Sequence, residues 1–541
     1  MNIDKEVFEL WKEVSPESAY GSGLKEFAGC VWVPSHQNVR KALARIAFLK
    51  KHADPVAFKW LRSLERGLVF EEPQHAPSGV MGVFFEHLVM NAKEKDYLAL
   101  AVQCLNVLAV QEHLWEKAWP IEMQIYSAQE CSGGIALLET VKKLCKKNEA
   151  KEALTALQNR LKIWKEKTSD VKLKKGDFSE VFPLLKKKSK GLGRKSVYPN
   201  LLRDWYDYPE SGEDIERLAL GWIDEELQSF KASVNKLSKR YKCKASVEEI
   251  NRALEVNQRI PLKKLVKTTQ DLRKVLQRLA DKEWVKITPK YDVRLIETPD
   301  YLVAFLPTAA MQPFGSLSSP FCISFITTDK SASPSTFLPG VMQTLIHEEY
   351  GHCVNFMNSY RCFSHPLRVT EILDSSLSTP ITEGISFFRE LESLRTLRRI
   401  AQDPNDDVER NVVKQVEKFC EFADFVDGLE FEVMQWRMVR FLRAVCDSRV
   451  NRERQSYPAF IEWAHKKTGL SKKLVFDQTF HFLERPGYAP CYSIFGQRLR
   501  DLQAKAMKKG VSQVEFNTFV ASSGFAARTV FESKLRKEFR L

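Results

Sequence analysis

Two histidines five residues apart on one apolar helix constrain this chain more than any other feature of its sequence. The segment VMQTLIHEEYGHCVNFMNS contains His347 and His352, with Glu348 directly after the first histidine. Five residues separate two side chains of a regular α-helix by about 140° around its axis, so the imidazoles would not meet at one metal ion. A π-bulge would bring them together, and such bulges are typical of functional sites. Gly351 tolerates unusual backbone angles and is expected to ease the bulge.

The two imidazoles predict a catalytic zinc site that lacks one ligand. Such a site uses three protein ligands and keeps a fourth position open for water. The segment STPITEGISFFREL begins a second apolar helix and offers Glu383, which is the gluzincin type of third ligand. Glu348 is then placed to take a proton from the attacking water. An HxxxxH pair alone is more often an ordinary helix surface, but the intervening glutamate, Gly351 and the TEG helix favour the metal site.

Three further acids are candidates for orienting the histidines. Carboxylates commonly accept a hydrogen bond from the second nitrogen of a metal-binding histidine. Glu371, Asp374 and Glu390 lie close enough in sequence to take this role. Each is equally compatible with an ordinary surface charge.

The sequence predicts a mainly α, two-lobed protein with a small antiparallel β-sheet beside the histidine helix. Helical periodicity fills the first part of the chain, which predicts an N-terminal helical lobe over 1–225 and a catalytic lobe over 226–541. The runs DVRLIE, YLVAFL and FCISFIT, between Ile287 and Thr328, have strand-like composition. FCISFIT is expected to align a peptide substrate by backbone pairing.

Charge is concentrated in a basic segment at 142–195, which holds 18 Lys and Arg against 6 Asp and Glu in a chain of net charge +14. Such a segment is most simply a solvated helical face with a loop, and it lacks a nucleic-acid motif. We therefore expect no specific nucleic-acid partner. Eleven cysteines without a CxxC pair, the acidic start MNIDKEVFELWKEV and the lack of a long apolar run predict a cytoplasmic protein without a membrane segment.

The motifs HEEYGH and TEGISFFREL resemble a large family of prokaryotic metallopeptidase-like proteins, the domain of unknown function 885. Its signature is HExxPGHH followed by an EGWALYxE helix. RFLRAVCDSRVN at 440–451 is similar to its RxxRxxxDxxxH segment, and LERPGYAPCYSIFGQRLRDLQ at 483–503 to its PGxAxxYxxG segment. The resemblance covers roughly 213–528 and implies a mainly helical, two-lobed zinc peptidase with a cleft between the lobes.

The resemblance also implies roles for residues outside the two metal-binding helices. In similar families a C-terminal tyrosine donates a hydrogen bond to the oxyanion; Tyr492 is the candidate here and Tyr488 the reserve, counted also as substrate-binding. Either is equally compatible with a buried core tyrosine. Arg440 and Arg443 lie on one helix face and are candidates for holding a substrate carboxylate. They are equally compatible with bridging buried acids such as Asp447.

This chain departs from the family's pattern at three points. It lacks the proline before the glycine, and its HExxGH motif is like that of the third dipeptidyl peptidase family. Asn451 and Cys353 stand where the family has histidines. Any role of those histidines in binding substrate or the oxyanion is therefore weakened or moved.

Three functions share these residues. The first is a zinc-dependent peptidase acting on short peptides, with carboxypeptidase or dipeptidase action favoured over aminopeptidase action. The second is a catalytically inactive metal-binding scaffold whose basic segment binds polyanions. The third is a zinc hydrolase acting on a non-peptide amide. Retention of Glu348, which is a base rather than a ligand, favours an enzyme over a scaffold.

Overall fold

The structure is a computed structural model and describes residues 2–173, 176–303, 306, 309–330, 336–361, 367–373 and 375–541. The chain is mainly helical, as the sequence predicts. The helices of its first half are α1 (Ile3–Val14), α2 (Pro16–Gly21), α3 (His36–Lys50), α4 (Pro55–Val69), α5 (His75–Val89), α6 (Glu94–Val110), α7 (Ile121–Leu144), α8 (Asn148–Thr168), α9 (Phe178–Lys188), α10 (Tyr198–Asn200), α11 (Gly212–Tyr241), α12 (Val247–Asn257) and α13 (Leu262–Glu283).

The second half begins with a small sheet and returns to helix. Its strands are β1 (Val293–Glu297), β2 (Ala309–Phe314) and β3 (Phe321–Ile326), and its helices are α14 (Leu338–Leu345), α15 (Val354–Tyr360), α16 (Thr379–Gln402), α17 (Asp407–Val416), α18 (Phe422–Asn451), α19 (Tyr457–Thr468), α20 (Lys472–Thr479), α21 (Pro490–Met507), α22 (Gln513–Ser522) and α23 (Arg528–Glu538). Two π-helical segments are Leu201–Trp205 and Ile346–Cys353, and 3₁₀ turns are Lys25–Phe27, Glu112–Glu116, Asp300–Leu302, Val369–Glu371 and His481–Glu484. In the ranges given above, no helix is both long and apolar enough to cross a membrane.

The sheet is mixed, which corrects the antiparallel sheet expected from the sequence. Its strand order is β1-β3-β2, with β3 parallel to β1 and antiparallel to β2. β3 is the predicted FCISFIT strand, and it pairs on both sides, so its backbone cannot also align a substrate. β2 is an edge strand beside the π-helical segment Ile346–Cys353. The expected YLVAFL strand is wrong at Tyr301 and Leu302, which lie in a 3₁₀ turn; Ala304 and Phe305 lie outside the described residues.

The hydrophobic core crosses the boundary predicted at 225. Helix α11 continues without a break through that position. One cluster of buried side chains runs from Ile121 on α7, through Ile223 on α11, to Phe441 on α18 and Ile494 on α21. The predicted boundary therefore coincides with neither a helix end nor a gap in the core, and the division into two lobes stays a prediction.

The basic segment is only partly a solvated face. Lysines of α9 such as Lys186 are exposed, in agreement with a solvated face. Arg194, however, is buried, with 2% of its surface exposed, and it forms an ion pair with Glu72. Its guanidinium also donates a hydrogen bond to the Asn451 side chain on α18. At least one charge of this segment thus stabilises the fold.

Candidate metal centre

The segment between α14 and α15 is π-helical, as the histidine spacing predicts. It spans Ile346–Cys353, and the amide of Val354 donates to the carbonyl of Glu349, five residues earlier. The extra residue in this turn brings the rings of His347 and His352 to the same side of the helix. Their centroids are 4.9 Å apart and their planes are almost perpendicular, at 88°.

Gly351 is required for a different reason from the one expected. It does not have a positive φ angle, so backbone freedom is not what the π-turn uses. A Cβ atom at this position would instead lie 2.3 Å from Oγ and 2.6 Å from Cα of Ser386 on α16. The glycine therefore allows the histidine helix and α16 to touch through their backbones. This contact brings Glu383, one turn before Ser386, against the histidines.

His347, His352 and Glu383 form a cluster whose dimensions suit one zinc ion. Glu383 Oε2 lies 3.7 Å from His347 Nε2 and 3.4 Å from His352 Nε2. Tetrahedral zinc with bonds of about 2.0–2.1 Å places its ligand atoms roughly 3.3–3.4 Å apart. All three side chains are buried, and no described residue donates a hydrogen bond to Glu383 Oε2. A buried carboxylate oxygen that faces two imidazole nitrogens and lacks a donor fits a metal ligand.

The charges of the cluster complement one another strongly. Burial opposes ionisation of Glu383, but His352 and His347 outweigh it and hold the pKa of Glu383 well below its usual range. Burial and Arg440 lower the pKa of His347, yet Glu383 and Glu390 raise it to about 9. Without a metal, Glu383 and Glu390 therefore favour the protonated imidazole of His347. The same two carboxylates would also stabilise a metal cation bound between the histidines.

Glu390 contacts His347 and can orient its ring, which is the role predicted for it from the sequence. Its Oε1 lies 2.7 Å from His347 Nδ1 and accepts a hydrogen bond of 2.8 Å from Gln343. Arg440 donates to its other oxygen over 2.7 Å. Burial opposes these effects, but Arg440 and His347 lower the pKa of Glu390. An ionised Glu390 fixes the tautomer that leaves His347 Nε2 free to bind a metal.

The two candidate tyrosines have different contacts. The Tyr488 hydroxyl donates to Glu383 Oε1 and so fixes the ligand carboxylate. The Tyr492 ring lies beside His347, with centroids 6.2 Å apart and planes 27° from parallel. Burial and the negative Glu383 raise the pKa of both phenols, which keeps them protonated. Both hydroxyls therefore remain donors beside the cluster.

Glu348 has the contacts expected of a base. It is only partly buried, and none of the described residues forms a hydrogen bond with its carboxylate. Burial raises the pKa of Glu348, although His347 and His352 oppose the shift. The neighbouring Glu349 is instead fully buried and accepts hydrogen bonds from Arg273 over 2.5 Å and from Tyr291 over 3.2 Å. Glu349 thus anchors the π-helix to α13, whereas the carboxylate of Glu348 has no hydrogen bond from the described residues.

The remaining predicted residues lie in other surroundings. The Glu371 side chain contacts the Arg368 amide and the Lys534 ammonium, so it orients neither histidine, which corrects its predicted role. Asp374 lies outside the described residues. Arg440 is bound to Glu390. Arg443 donates to the backbone and side-chain oxygens of Gln478 and lies 3.9 Å above the Phe482 ring. Both guanidinium groups are engaged by the protein itself, so their use as a substrate clamp stays a prediction.

A turn beside the centre lies in the segment that carries the family resemblance, but its contact with Asp447 was not predicted from the sequence. Gly487 has a φ of +90°, which favours glycine. Its amide donates to both Asp447 oxygens, over 3.0 and 3.1 Å. Asp447 also accepts from Tyr198 and from Asn451. The turn at 485–488 is therefore fixed by a buried carboxylate, and it presents Tyr488 to Glu383. The Pro-Gly pair in the sequence PGY could have predicted this turn.

Comparisons with known proteins identify the fold but not the function. No family model and no curated protein matches this sequence. The chain is similar to the structure of a "putative lipoprotein" from Colwellia psychrerythraea, with a TM-score of 0.65 and 11% identity over 99% of this chain and 98% of that chain. It is also similar to a "putative lipoprotein of unknown function" from Shewanella oneidensis, with a TM-score of 0.65 and 12% identity over 98% of this chain and 99% of that chain. The resemblance to the domain of unknown function 885 and the cytoplasmic location stay predictions.

Proposed function

We propose that this protein is a zinc-dependent peptidase that hydrolyses short peptides. The observation that carries the proposal is Glu383 Oε2, which is buried, has no hydrogen-bond donor among the described residues, and lies 3.4 and 3.7 Å from two imidazole nitrogens. Structural zinc sites fill all four positions with protein ligands, whereas three ligands are typical of catalytic zinc. The resemblance of the HEEYGH and TEGISFFREL motifs to metallopeptidases supports the same reaction class.

The roles of the surrounding side chains follow from their positions. Zinc bound by His347, His352 and Glu383 would supply Lewis acidity and a nucleophile at neutral pH. Glu348 takes the proton of the attacking water, and its raised pKa makes it a better proton acceptor than an exposed glutamate. Tyr492 donates its hydroxyl hydrogen toward the oxygen that becomes negative in the transition state.

The edge strand β2 is suited to align the substrate. It lies at the end of the sheet order and next to the π-helical segment that carries Glu348. An edge strand can pair with an extended peptide through backbone hydrogen bonds. Such pairing fixes the direction of the peptide chain and depends little on its side chains. This pairing favours peptides over other amides, because only a peptide offers the repeating donors and acceptors.

Zinc content and hydrolysis together test the proposal. We expect about one zinc per chain by elemental analysis, with a loss in His347→Ala and in Glu383→Ala. Glu348→Gln is expected to keep zinc but to reduce hydrolysis at least ~10²-fold, because an amide cannot accept the proton. Substrates are peptides with free or blocked termini, read by mass spectrometry. Zinc that is unchanged in both ligand variants, or normal turnover of Glu348→Gln, would overturn the proposal.

A further inference from the structure

A cavity of about 520 Å³ lies directly beside the metal centre. Its walls are formed largely by apolar and aromatic side chains from the N-terminal helices and from the segment before α11, including Trp32, Val83 and Trp205. At one end it reaches Thr379 and Tyr488. Thr379 lies one helical turn before Glu383 on the same face of α16, and Tyr488 donates to Glu383. A substrate bound at the metal centre could therefore extend into this cavity past Thr379 and Tyr488.

Arg485 supplies the positive charge that lines this cavity. Its side chain has 61% of its surface accessible, and its nearest carboxylate is that of Glu484, 3.8 Å from Nε. No described residue accepts a hydrogen bond from the guanidinium. A guanidinium carries five N–H donors in a planar fork that matches a carboxylate. Arg485 therefore keeps its fork available to a ligand, unlike Arg440 and Arg443.

The other ionisable groups that line the cavity are engaged or weakly charged. Glu71 lies 3.0 Å from the imidazole of His113. Burial raises the pKa of Glu17 to about 7, so this acid is only partly ionised at neutral pH. Burial also lowers the pKa of His75, which keeps its imidazole neutral. Among the described residues that line the cavity, Arg485 is thus the accessible cation, and Glu71 and Glu484 are the accessible acids.

The backbone at Arg485 is also fixed relative to the candidate metal centre. The Tyr488 amide donates to the Arg485 carbonyl, and Asp447 holds the Gly487 amide between them. The same turn therefore carries Arg485 toward the cavity and Tyr488 toward Glu383. A group bound by Arg485 and a bond cleaved at the metal centre would belong to one substrate.

We propose that Arg485 binds a carboxylate of the peptide substrate, while the apolar cavity takes the neighbouring side chains. This inference rests on the proposed peptidase function and names its substrate class: short peptides that combine apolar residues with a carboxylate, from either the C-terminus or an acidic side chain.

Binding without turnover tests the inference separately from catalysis. The protein carries Glu348→Gln, and binding is measured by isothermal titration calorimetry. The probes are Ala-Phe-Ala-Phe with a free C-terminus, its C-terminal amide, and the amide Ala-Phe-Glu-Phe. At least one carboxylate peptide is expected to bind about 10- to 100-fold more tightly than the uncharged amide, as charge-assisted hydrogen bonds do. Whichever carboxylate peptide shows the preference identifies the source of the group.

Variants of Arg485 decide whether this residue is responsible. Arg485→Ala should reduce the preference for the carboxylate peptide to about one, and Arg485→Lys should keep part of it. Arg500→Ala is a matched control, because Arg500 also lies 3.8 Å from a neighbouring acid, Asp501, but not in the cavity. A preference that survives both Arg485 variants, or its absence from the parent protein, overturns the inference. If the Ala variant does not fold, Arg485→Gln takes its place, with the same expected loss of the preference; zinc content, measured separately, reports on the proposed function.

Discussion

The three proposed metal ligands are held by different contacts. His347 is fixed by Glu390, and Glu383 by the Tyr488 hydroxyl. His352 Nδ1 is buried, and no described residue accepts a hydrogen bond from it. Among the described residues, His352 is therefore oriented by packing within the π-helix and not by a hydrogen bond to Nδ1. Substitutions around the ligands should therefore affect metal affinity to different degrees.

Glu390→Gln is expected to reduce zinc affinity about 10- to 100-fold, because an amide neither fixes the His347 tautomer nor neutralises Arg440. Glu371→Gln is the matched control, since Glu371 is also a buried acid but contacts Lys534 instead of a histidine. Competition with a chromophoric chelator measures both. Equal losses in the two variants would contradict the assignment of Glu390 as the orienting carboxylate.

The two tyrosines should separate binding of zinc from catalysis. Tyr492→Phe is expected to lower kcat by about 10²–10³-fold at normal zinc content, because it removes a donor to the developing oxyanion. Tyr488→Phe removes the hydrogen bond to Glu383 and should weaken zinc binding instead. Measurements of kcat at saturating zinc and of zinc affinity distinguish them. A Tyr488→Phe variant that loses kcat with zinc affinity intact would exchange the two roles.

At the scale of elements, glycines bring three helices close enough to build the centre. Gly351 lets the π-helix touch α16 at Ser386. On the other side of α16, a Cβ at Gly384 would lie 2.7 Å from the Phe495 ring, and one at Gly496 would lie 2.9 Å from the Gly384 carbonyl. Helix α21, which carries Tyr492, therefore approaches α16 as closely as the histidine helix does. The site depends on these contacts as much as on its ligands.

Gly351→Ala is expected to destabilise the protein by about 1–3 kcal/mol or more and to weaken zinc binding, because its Cβ would meet the Ser386 backbone. Gly221→Ala on α11 is the control. It has open space around its Cβ position, and alanine should stabilise that helix by about 0.5–1 kcal/mol. Thermal unfolding and zinc content measure both variants. A Gly351→Ala variant with unchanged stability and zinc content would show that close packing there is not required.

Sequence predicts those features of the elements that follow from local pattern. The five-residue histidine spacing predicted the π-helix, and apolar periodicity predicted a mainly helical fold. The pairing of the strands is non-local, and β2 was missed because AAMQPF contains a proline and lacks strand-like alternation. The steric need for glycine at position 351 could not be predicted from the sequence, because it depends on how closely α16 packs against the π-helix. Arg485 was missed because a single loop arginine has no pattern.

At the scale of the whole molecule, a buried polar network joins distant parts of the chain. Glu72, before α5, binds Arg194. Arg194 donates to Asn451 on α18, and Asn451 donates to Asp447. Asp447 then holds the turn at Gly487 beside the metal centre. Because this network reaches from the N-terminal helices to the candidate site, the N-terminal part of the chain positions the turn at 485–488 as well as lining the cavity.

The same burial makes the stability of the molecule depend on pH. Burial raises the pKa of several carboxyl groups, to about 7 for Glu17 and Asp447 and to about 8 for Glu130 and Glu432. In the unfolded chain these groups ionise near pH ~4. Between these values the folded state binds more protons than the unfolded state, so the free energy of unfolding falls as the pH rises. The protein should therefore be more stable at pH 5 than at pH 8.

Glu432 on α18 offers the clearest test of this dependence. It is 2% exposed, and burial, with a contribution from Glu255, raises its pKa from 4.5 to about 8. Well below pH 4.5 the carboxyl is protonated in both states and carries no penalty. Above that pH only the unfolded chain ionises freely, and the folded state loses about 1.4 kcal/mol of relative stability per pH unit until about pH 8.

Glu432→Gln removes this penalty, because glutamine stays neutral at every pH. We expect the variant and the parent protein to unfold at similar temperatures at pH 5, with the variant more stable at pH 8, by up to a few kcal/mol. Glu152→Gln is the control for the substitution itself, since Glu152 is an exposed glutamate near the start of α8. Thermal unfolding at half-unit steps from pH 5 to pH 8 measures the slope. A Glu432→Gln curve parallel to that of the parent protein would mean that Glu432 is ionised in the folded state, and that the pH dependence comes from the other buried carboxyl groups.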